Sequence, residues 1–258
     1  MGLDDIVALR CAGLDDRDIV DWAQIASLQT WLVMSADGGG VSLDSEASHG
    51  QAVGFRREDY HGAEAGLTAA GIKAQSINYR APANGLAWVD ANTDDKIYQE
   101  TACWATDRYG FVPNLLKAES ISPGHYELHQ EALSLLDKPQ SKSLSRRQHA
   151  MVRALVSTLN RCAYSADTTR QYLLNETSDE NLANTITSDY RQYDFDKQDR
   201  LILDFATKMA CNSYKVVPKD AEAFTEAGLD HEAYVEIDSL VIVQCDIRRK
   251  SGVSCGDL

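Results

Sequence analysis

The sequence has few of the residues that interrupt helices, since only five prolines occur among its 258 residues. Long stretches avoid both proline and glycine, which favours helices. No stretch shows sustained alternation of apolar and polar residues between turn signals, so strands are not expected. Hydrophobic residues make up 44% and charged residues 25%, as in ordinary globular proteins. We therefore predict an all-α fold.

Long apolar runs and an excess of positive charge are also missing. Because no run of 18 apolar residues occurs, no membrane span is expected. The first residues, Met-Gly-Leu-Asp-Asp, lack the basic patch and apolar segment of a secretory signal, so we expect a cytoplasmic protein. The formal net charge of −14 makes a large nucleic-acid footprint unexpected.

The cysteines are scattered and form no C-x-x-C pair, which argues against a zinc ribbon and a thioredoxin-type redox pair. Most should be small buried hydrophobic residues. His125 and His129 share a helical face at a spacing that suits a metal pair, but no third ligand is indicated. We expect a solvated or packing pair, with neither metal nor other cofactor. The six cysteines are Cys11, Cys103, Cys162, Cys211, Cys245 and Cys255.

Apolar residues at helical spacing and capping residues mark the helices. Two lie within residues 4–36 and are separated at Ala12-Gly13-Leu14-Asp15, with Asp15 as the N-cap of the second. Ser145 is expected to cap the strongest helix, and Ser178 to cap a later one that begins with acidic residues. Further helices are predicted over residues 57–70, 94–108, 114 onward, 123–136, 145–160, 162–174, 179–189, 196–212, 218–226 and 231–250.

The tetrapeptide Ala12-Gly13-Leu14-Asp15 recurs as Ala227-Gly228-Leu229-Asp230, an offset of 227 − 12 = 215. In both places a short helix precedes it and a long apolar helix follows. The recurrence has two readings: coincidence, because these residues make a natural break between helices, or the remnant of a truncated first repeat.

Residues 145–169 resemble the core of the alkylhydroperoxidase D-like and carboxymuconolactone decarboxylase superfamily. Members carry V-S-x-x-N-x-C-x-Y-C, and here Val156, Ser157, Asn160, Cys162 and Tyr164 fall in register. The segment Tyr-Gly-Phe-Val-Pro-Asn at 109–114 is similar to the family's turn before this helix. Residues 201–210 and 227–229 are similar to its C-terminal part. The resemblance implies an AhpD-like helical bundle.

This chain departs from the peroxidases of that family at the groups that do the chemistry. Those enzymes cycle two thiols through a disulfide and move protons through a glutamate and a histidine. The resemblance places the first cysteine at Cys162 and the second, usually taken as peroxide-reactive, at Ser165. It places the glutamate at Ala150 and the histidine at Thr169. A hydroxyl cannot form a disulfide, and an unassisted thiol with a pKa of about 8.5 is only a few per cent thiolate at neutral pH.

The leading functional hypothesis is a non-redox enzyme acting on a small organic molecule, as a lyase, isomerase or cyclase. The superfamily includes a decarboxylase branch that works by acid–base handling of an enol or carbanion. Cys162, Tyr164 and Ser165 could line the pocket, and His149 or His129 could shuttle protons. The alternatives are an antioxidant peroxidase using Cys162 alone and a non-catalytic ligand-binding or scaffold protein.

We predict a helical domain over residues 91–258, a partial helical repeat over 1–44 docked on it, and an irregular connecting arm over 45–90. Relatives of this fold form dimers, trimers or hexamers through their long helices. Apolar residues from Ile19 to Trp31 are expected to be exposed, so a homo-oligomer is expected.

Overall fold

The computed structural model describes residues 3–38, 92, 94, 96–109, 111–122, 124, 131, 142–160 and 163–254. Within these ranges every regular element is helical, which confirms the predicted fold class. None of the described helices is long and apolar enough to cross a membrane. The α-helices are α1 (Leu3–Cys11), α2 (Asp16–Gly38), α3 (Lys96–Tyr109), α4 (Asn114–Glu119), α5 (Arg146–Leu159), α6 (Ala163–Thr177), α7 (Glu180–Asp189), α8 (Lys197–Asn212), α9 (Pro218–Glu226) and α10 (His231–Ser254).

Short 3₁₀ helices follow α7 (Tyr190–Gln192) and α8 (Ser213–Lys215). The helix predicted over 57–70 lies outside the described residues. So does the one over 123–136, apart from residues 124 and 131. The division into residues 1–44, 45–90 and 91–258 stays a prediction.

Two of the three predicted N-caps are correct. The Asp15 carboxylate accepts from the backbone N–H of Asp18 at 2.8 Å, and Ser145 forms a reciprocal capping box with Gln148. The prediction for Ser178 is wrong. Asp179 is the N-cap of α7 and accepts from the backbone N–H of Leu182 at 2.8 Å. Ser178 instead adopts a left-handed φ of 53° in the turn that leaves α6.

The two Ala-Gly-Leu-Asp segments share the same backbone hydrogen bonds at the offset of 215. The Leu14 N–H donates to the Leu9 carbonyl at 3.2 Å, and the Leu229 N–H donates to the Phe224 carbonyl at 2.9 Å. Both glycines have a positive φ, as this type of helix end requires, and both aspartates cap the helix that follows. These backbone hydrogen bonds match between residues 8–19 and residues 223–234. The origin of the two segments in a truncated repeat stays a prediction.

Helix α5 is buried on nearly every side, and residues 148–157 are all buried. The apolar residues of α5 therefore do not form a single face. Met151 and Leu155 pack in a cluster with α6, α7 and α8, whereas Val156 packs in a second cluster with α8, α9 and α10. Because this part of α5 lies between two hydrophobic clusters, the polar residues within 148–157 are enclosed by the core.

The expectation of an exposed apolar face on α2 is correct only in part. Ile19 is buried against Ile6 of α1, whereas Trp22, Ile25 and Leu28 are exposed. The difference arises because α1 folds back on the first turns of α2 and covers one side of it. A homo-oligomer formed through the exposed residues stays a prediction.

Helix α2 packs along α10 and ends against it at Gly38. The Tyr234 hydroxyl donates to the Gly38 carbonyl at 3.0 Å, which satisfies one of the carbonyls that a helix end leaves open. A methyl group on Gly38 would overlap the Asp238 carboxylate and the Met209 side chain. Glycine therefore permits the close approach of these two helices.

Candidate functional site

The structure describes three of the five candidate residues from the sequence. Ser165 lies in the first turn of α6 with 2% of its surface exposed. Tyr164 occupies the neighbouring position of the same helical turn. His149 lies in the first turn of α5 and is also buried. Cys162 and His129 lie outside the described residues.

The two positions that the resemblance assigns to proton transfer are filled by residues with other roles. Ala150 is fully buried in the cluster that α5 forms with α6 and α7. Thr169 is buried, and its hydroxyl donates to the Ser165 carbonyl one helical turn earlier at 2.6 Å. Neither side chain titrates, so these positions cannot relay protons as a glutamate and a histidine do.

A buried pair of titratable residues lies one position away along α5. The Nε2 atom of His149 is 2.7 Å from Oε1 of Glu236 on α10. His149 is 3% exposed and Glu236 is 8% exposed, so the core shields both groups from water. The His149 side chain thus points to α10, as expected from the rotation of about 100° that separates it from Ala150 on the helix.

The same interface holds a second polar contact at the same sequence offset. The Gln244 side chain donates to the Ser157 hydroxyl at 2.8 Å. Because 236 − 149 and 244 − 157 both equal 87, α5 and α10 run in the same direction over these two turns. Asn160 extends the interface by donating to the Gln244 carbonyl at 3.3 Å. We call these residues, His149, Ser157, Asn160, Glu236 and Gln244, the polar seam.

Glu236 was missed by the sequence analysis, although one signal points to it. Ala233, Ile237 and Leu240 are fully buried and mark the apolar face of α10. Glu236 falls beside Ala233 and Ile237 on that face, and acidic residues are almost never buried without a partner. An acid on an apolar face therefore indicates a buried pair, but its partner is 87 residues away in the sequence.

A buried imidazole held by a carboxylate is suited to acid–base chemistry. The carboxylate orients the ring and offsets the positive charge that the ring acquires when it takes a proton. Electrostatic interactions are stronger in a site that excludes water.

The cysteines among the described residues form no disulfide. Cys11 and Cys103 are exposed, and burial raises the pKa of the Cys211 thiol, which keeps it protonated. Cys245 is buried beside Asn160, with its Sγ 3.6 Å from Oδ1 of that residue. Among the described residues no group of three or more histidine, cysteine, aspartate and glutamate side chains could hold a metal ion.

Restoring only the second sulfur should leave the protein without efficient peroxidase activity. We expect Ser165→Cys to raise dithiothreitol-dependent consumption of cumene hydroperoxide by less than about tenfold, because Ala150 and Thr169 still supply no proton relay and general acid–base groups typically contribute about 10²–10⁴-fold. The double variant S165C/T169H, which adds an imidazole, is assayed beside S165C for comparison. Robust turnover by S165C alone would show that the relay is dispensable.

Comparisons with known proteins place this architecture among solved structures. An uncharacterised peroxidase-related protein from Silicibacter sp. TM1040 is similar at a TM-score of 0.62 and 21% identity, over 71% of this chain and 95% of that one. A second, described as an alkylhydroperoxidase AhpD core from Ralstonia eutropha JMP134, has a TM-score of 0.57 and 22% identity over 69% and 90%.

The debrominase Bmp8 is also similar, with a TM-score of 0.55 and 14% identity over 62% of this chain and 85% of that one. A variant of Bmp8 has been solved in complex with 2,3,4-tribromopyrrole. No protein-family model matches the sequence, and no curated protein matches it. The similarity to these structures shows that the chain has the alkylhydroperoxidase D-like helical fold.

Proposed function

We propose that this protein is a non-redox enzyme that moves protons on a small organic substrate, with His149 as the acid–base group. The observation that carries the proposal is the buried contact of 2.7 Å between His149 and Glu236. The substrate class that suits such a pair has an acidic C–H bond beside a carbonyl group, so that removal of a proton gives an enol. Removal of such a proton is one first step by which a lyase, isomerase or cyclase reaction can begin.

In this reaction His149 takes the proton from carbon, and Glu236 orients the ring and offsets its charge. The electron pair of the C–H bond moves into the carbonyl group, and the imidazolium returns the proton to carbon or to a leaving group. Glu236 touches no reacting atom and is a positioning residue. Ser165, and Tyr164 beside it on α6, are proposed to line the substrate pocket. The roles proposed for Cys162 and His129 rest on the sequence alone.

Two features support a reaction other than peroxide reduction. The positions that the resemblance assigns to the second sulfur and to the two proton-relay groups carry Ser165, Ala150 and Thr169, and the last two are packed or hydrogen-bonded within the helices. The fold is also that of Bmp8, a debrominase, and is therefore compatible with an enzyme that is not a peroxidase. A fold hosts many chemistries, so the site decides the function.

Exchange of substrate hydrogen for deuterium tests the proposal without knowledge of the final product. The protein is incubated in D2O with a panel of β-keto acids, enol lactones and cyclic ketones, and incorporation at carbon is followed by NMR. We expect exchange with at least one compound and a loss of about a hundredfold or more in His149→Ala. Glu236→Gln should lower the rate less and alter its pH profile. The exposed His231, replaced in His231→Ala, is the matched control.

The same panel separates the alternatives. Thiol-dependent consumption of cumene hydroperoxide, or release of bromide from 2,3,4-tribromopyrrole, that is lost in Cys162→Ser would favour a Cys162-dependent redox enzyme. Retention of a panel compound without exchange in any variant would favour a binding protein. Exchange that is equal in His149→Ala and His231→Ala would exclude His149 as the acid–base group.

A further inference from the structure

A cleft of about 600 Å³ lies between the 3₁₀ helix after α7 and one face of α8, away from the polar seam. The residues that α8 contributes recur at helical spacing, from Arg200 through Asp204 and Lys208 to Asn212. Lys215, in the 3₁₀ helix that continues α8, also lines the cleft. The cleft is therefore built by one continuous helical surface and the turn packed against it.

The charge of this cleft is opposite to that of the chain. Among the described residues that line it, four are cations, Arg191, Arg200, Lys208 and Lys215, and one, Asp204, is a carboxylate. The whole chain carries a formal charge of −14, so a local excess of positive charge is not the average of the surface.

Two carboxylates at or beside the cleft, Asp204 and Asp220, are already bonded. The Tyr190 hydroxyl donates to Oδ1 of Asp204 at 2.6 Å, and burial together with this bond raises the pKa of Tyr190. Lys208 contacts both oxygens of Asp220 at 2.8 and 2.7 Å. Burial raises the pKa of the Cys211 thiol, so the thiol adds no negative charge.

Three cations remain for a ligand. Arg200 is held in place because its guanidinium donates to the Tyr193 carbonyl at 3.1 Å and stacks over the rings of Tyr190 and Phe195. Arg191 and Lys215 are exposed. Within the described residues, no carboxylate forms a salt bridge with any of these three cations.

We propose that this cleft binds a small polyanion, a molecule that carries phosphate groups or several carboxylates. An arginine presents a planar fork of N–H donors that matches phosphate and carboxylate oxygens, and Arg200 is held by its neighbours before a ligand arrives. Lys215 supplies a further positive charge on a flexible side chain. The site does not depend on the acid–base function proposed for His149.

Binding of inorganic pyrophosphate and of citrate to the full-length protein tests the proposal and separates phosphate from carboxylate recognition. Isothermal titration calorimetry should detect at least one of the two probes at millimolar or lower concentration. The double variant R191A/K215A should bind that probe at least about tenfold more weakly, since it loses two charge-assisted contacts. The affinity should also fall as sodium chloride is raised, because exposed charges are screened.

The matched control is K197A/K219A, which removes two exposed lysines outside the cleft and changes the net charge by the same amount. Unchanged affinity in this control supports the cleft as the site. Equal weakening in both double variants would mean that the probes respond to overall charge, and would overturn the proposal. So would the failure of the unmodified protein to bind either probe.

Discussion

Asp238→Asn is expected to stabilise the protein above neutral pH. Burial raises the pKa of Asp238 from its ordinary value of 3.8 to about 7. Its Oδ1 atom is buried and has no hydrogen-bond partner among the described residues. The carboxylate lies against Gly38 at the end of α2, so the folded protein holds its ionised form in a poorly solvated place.

The pH dependence follows from the sign of this change. Below about pH 4 the carboxyl group is protonated in both the folded and unfolded states, and it has no effect on stability. Between about pH 4 and 7 the unfolded chain releases the proton while the folded protein keeps it, so stability falls as the pH rises. Above about pH 7 the loss is complete and amounts to roughly 4 kcal/mol, at 1.36 kcal/mol per pKa unit.

Urea unfolding at several pH values measures this effect. The free energy of unfolding of Asp238→Asn should exceed that of the unmodified protein by roughly 1–2 kcal/mol at pH 5 and by roughly 4 kcal/mol at pH 8. Asp167→Asn, at an exposed position on α6, is the control and should change stability by less than about 0.5 kcal/mol. A gain that is the same at both pH values would show that Asp238 does not titrate in this range.

Glu236→Ala is expected to destabilise the protein by about 2–4 kcal/mol. The substitution removes the carboxylate that accepts the hydrogen bond at 2.7 Å and leaves the buried ring of His149 without it. An unsatisfied buried polar group typically costs about 1–3 kcal/mol, and the space left by the side chain adds to this. Glu236→Gln keeps an acceptor oxygen and should lose less.

The control for this prediction is one turn earlier on the same helix. Glu232 is exposed, and Glu232→Ala should change the free energy of unfolding by about 1 kcal/mol or less. Chemical unfolding at pH 7 compares the three variants. If Glu236→Ala and Glu232→Ala behave alike, the contact with His149 contributes little to the fold, and the case for an oriented imidazole is correspondingly weaker.

The helices and most of their ends could be predicted because their signals are local. The caps at Asp15 and Ser145 each depend on a side chain that reaches a backbone group three residues away. The N-cap prediction at Ser178 was wrong, although this signal is also local. The neighbouring Asp179 offers a carboxylate that competes for the same capping role. A one-residue error of this kind does not change the fold.

The partners of the buried polar groups could not be predicted in the same way. The sequence indicates His149 as a candidate, but its contact with Glu236 depends on how α5 packs on α10. Burial of Ile19 likewise depends on α1 folding back on α2, and helical periodicity alone left it on an exposed face. Periodicity shows which residues share a face, but not which helix covers that face.

The sequence by itself determined the all-α class and the order of the described helices, and the motif around Cys162 predicts that the second sulfur and the proton relay are absent. The helix signals are carried by neighbours within four residues along the chain, where the chain geometry leaves little choice. Only the tertiary structure decided that His149 meets a carboxylate, that Asp238 is buried without a described partner, and that four cations line one cleft. These contacts join residues far apart in the sequence, and the packing of whole helix faces brings them together.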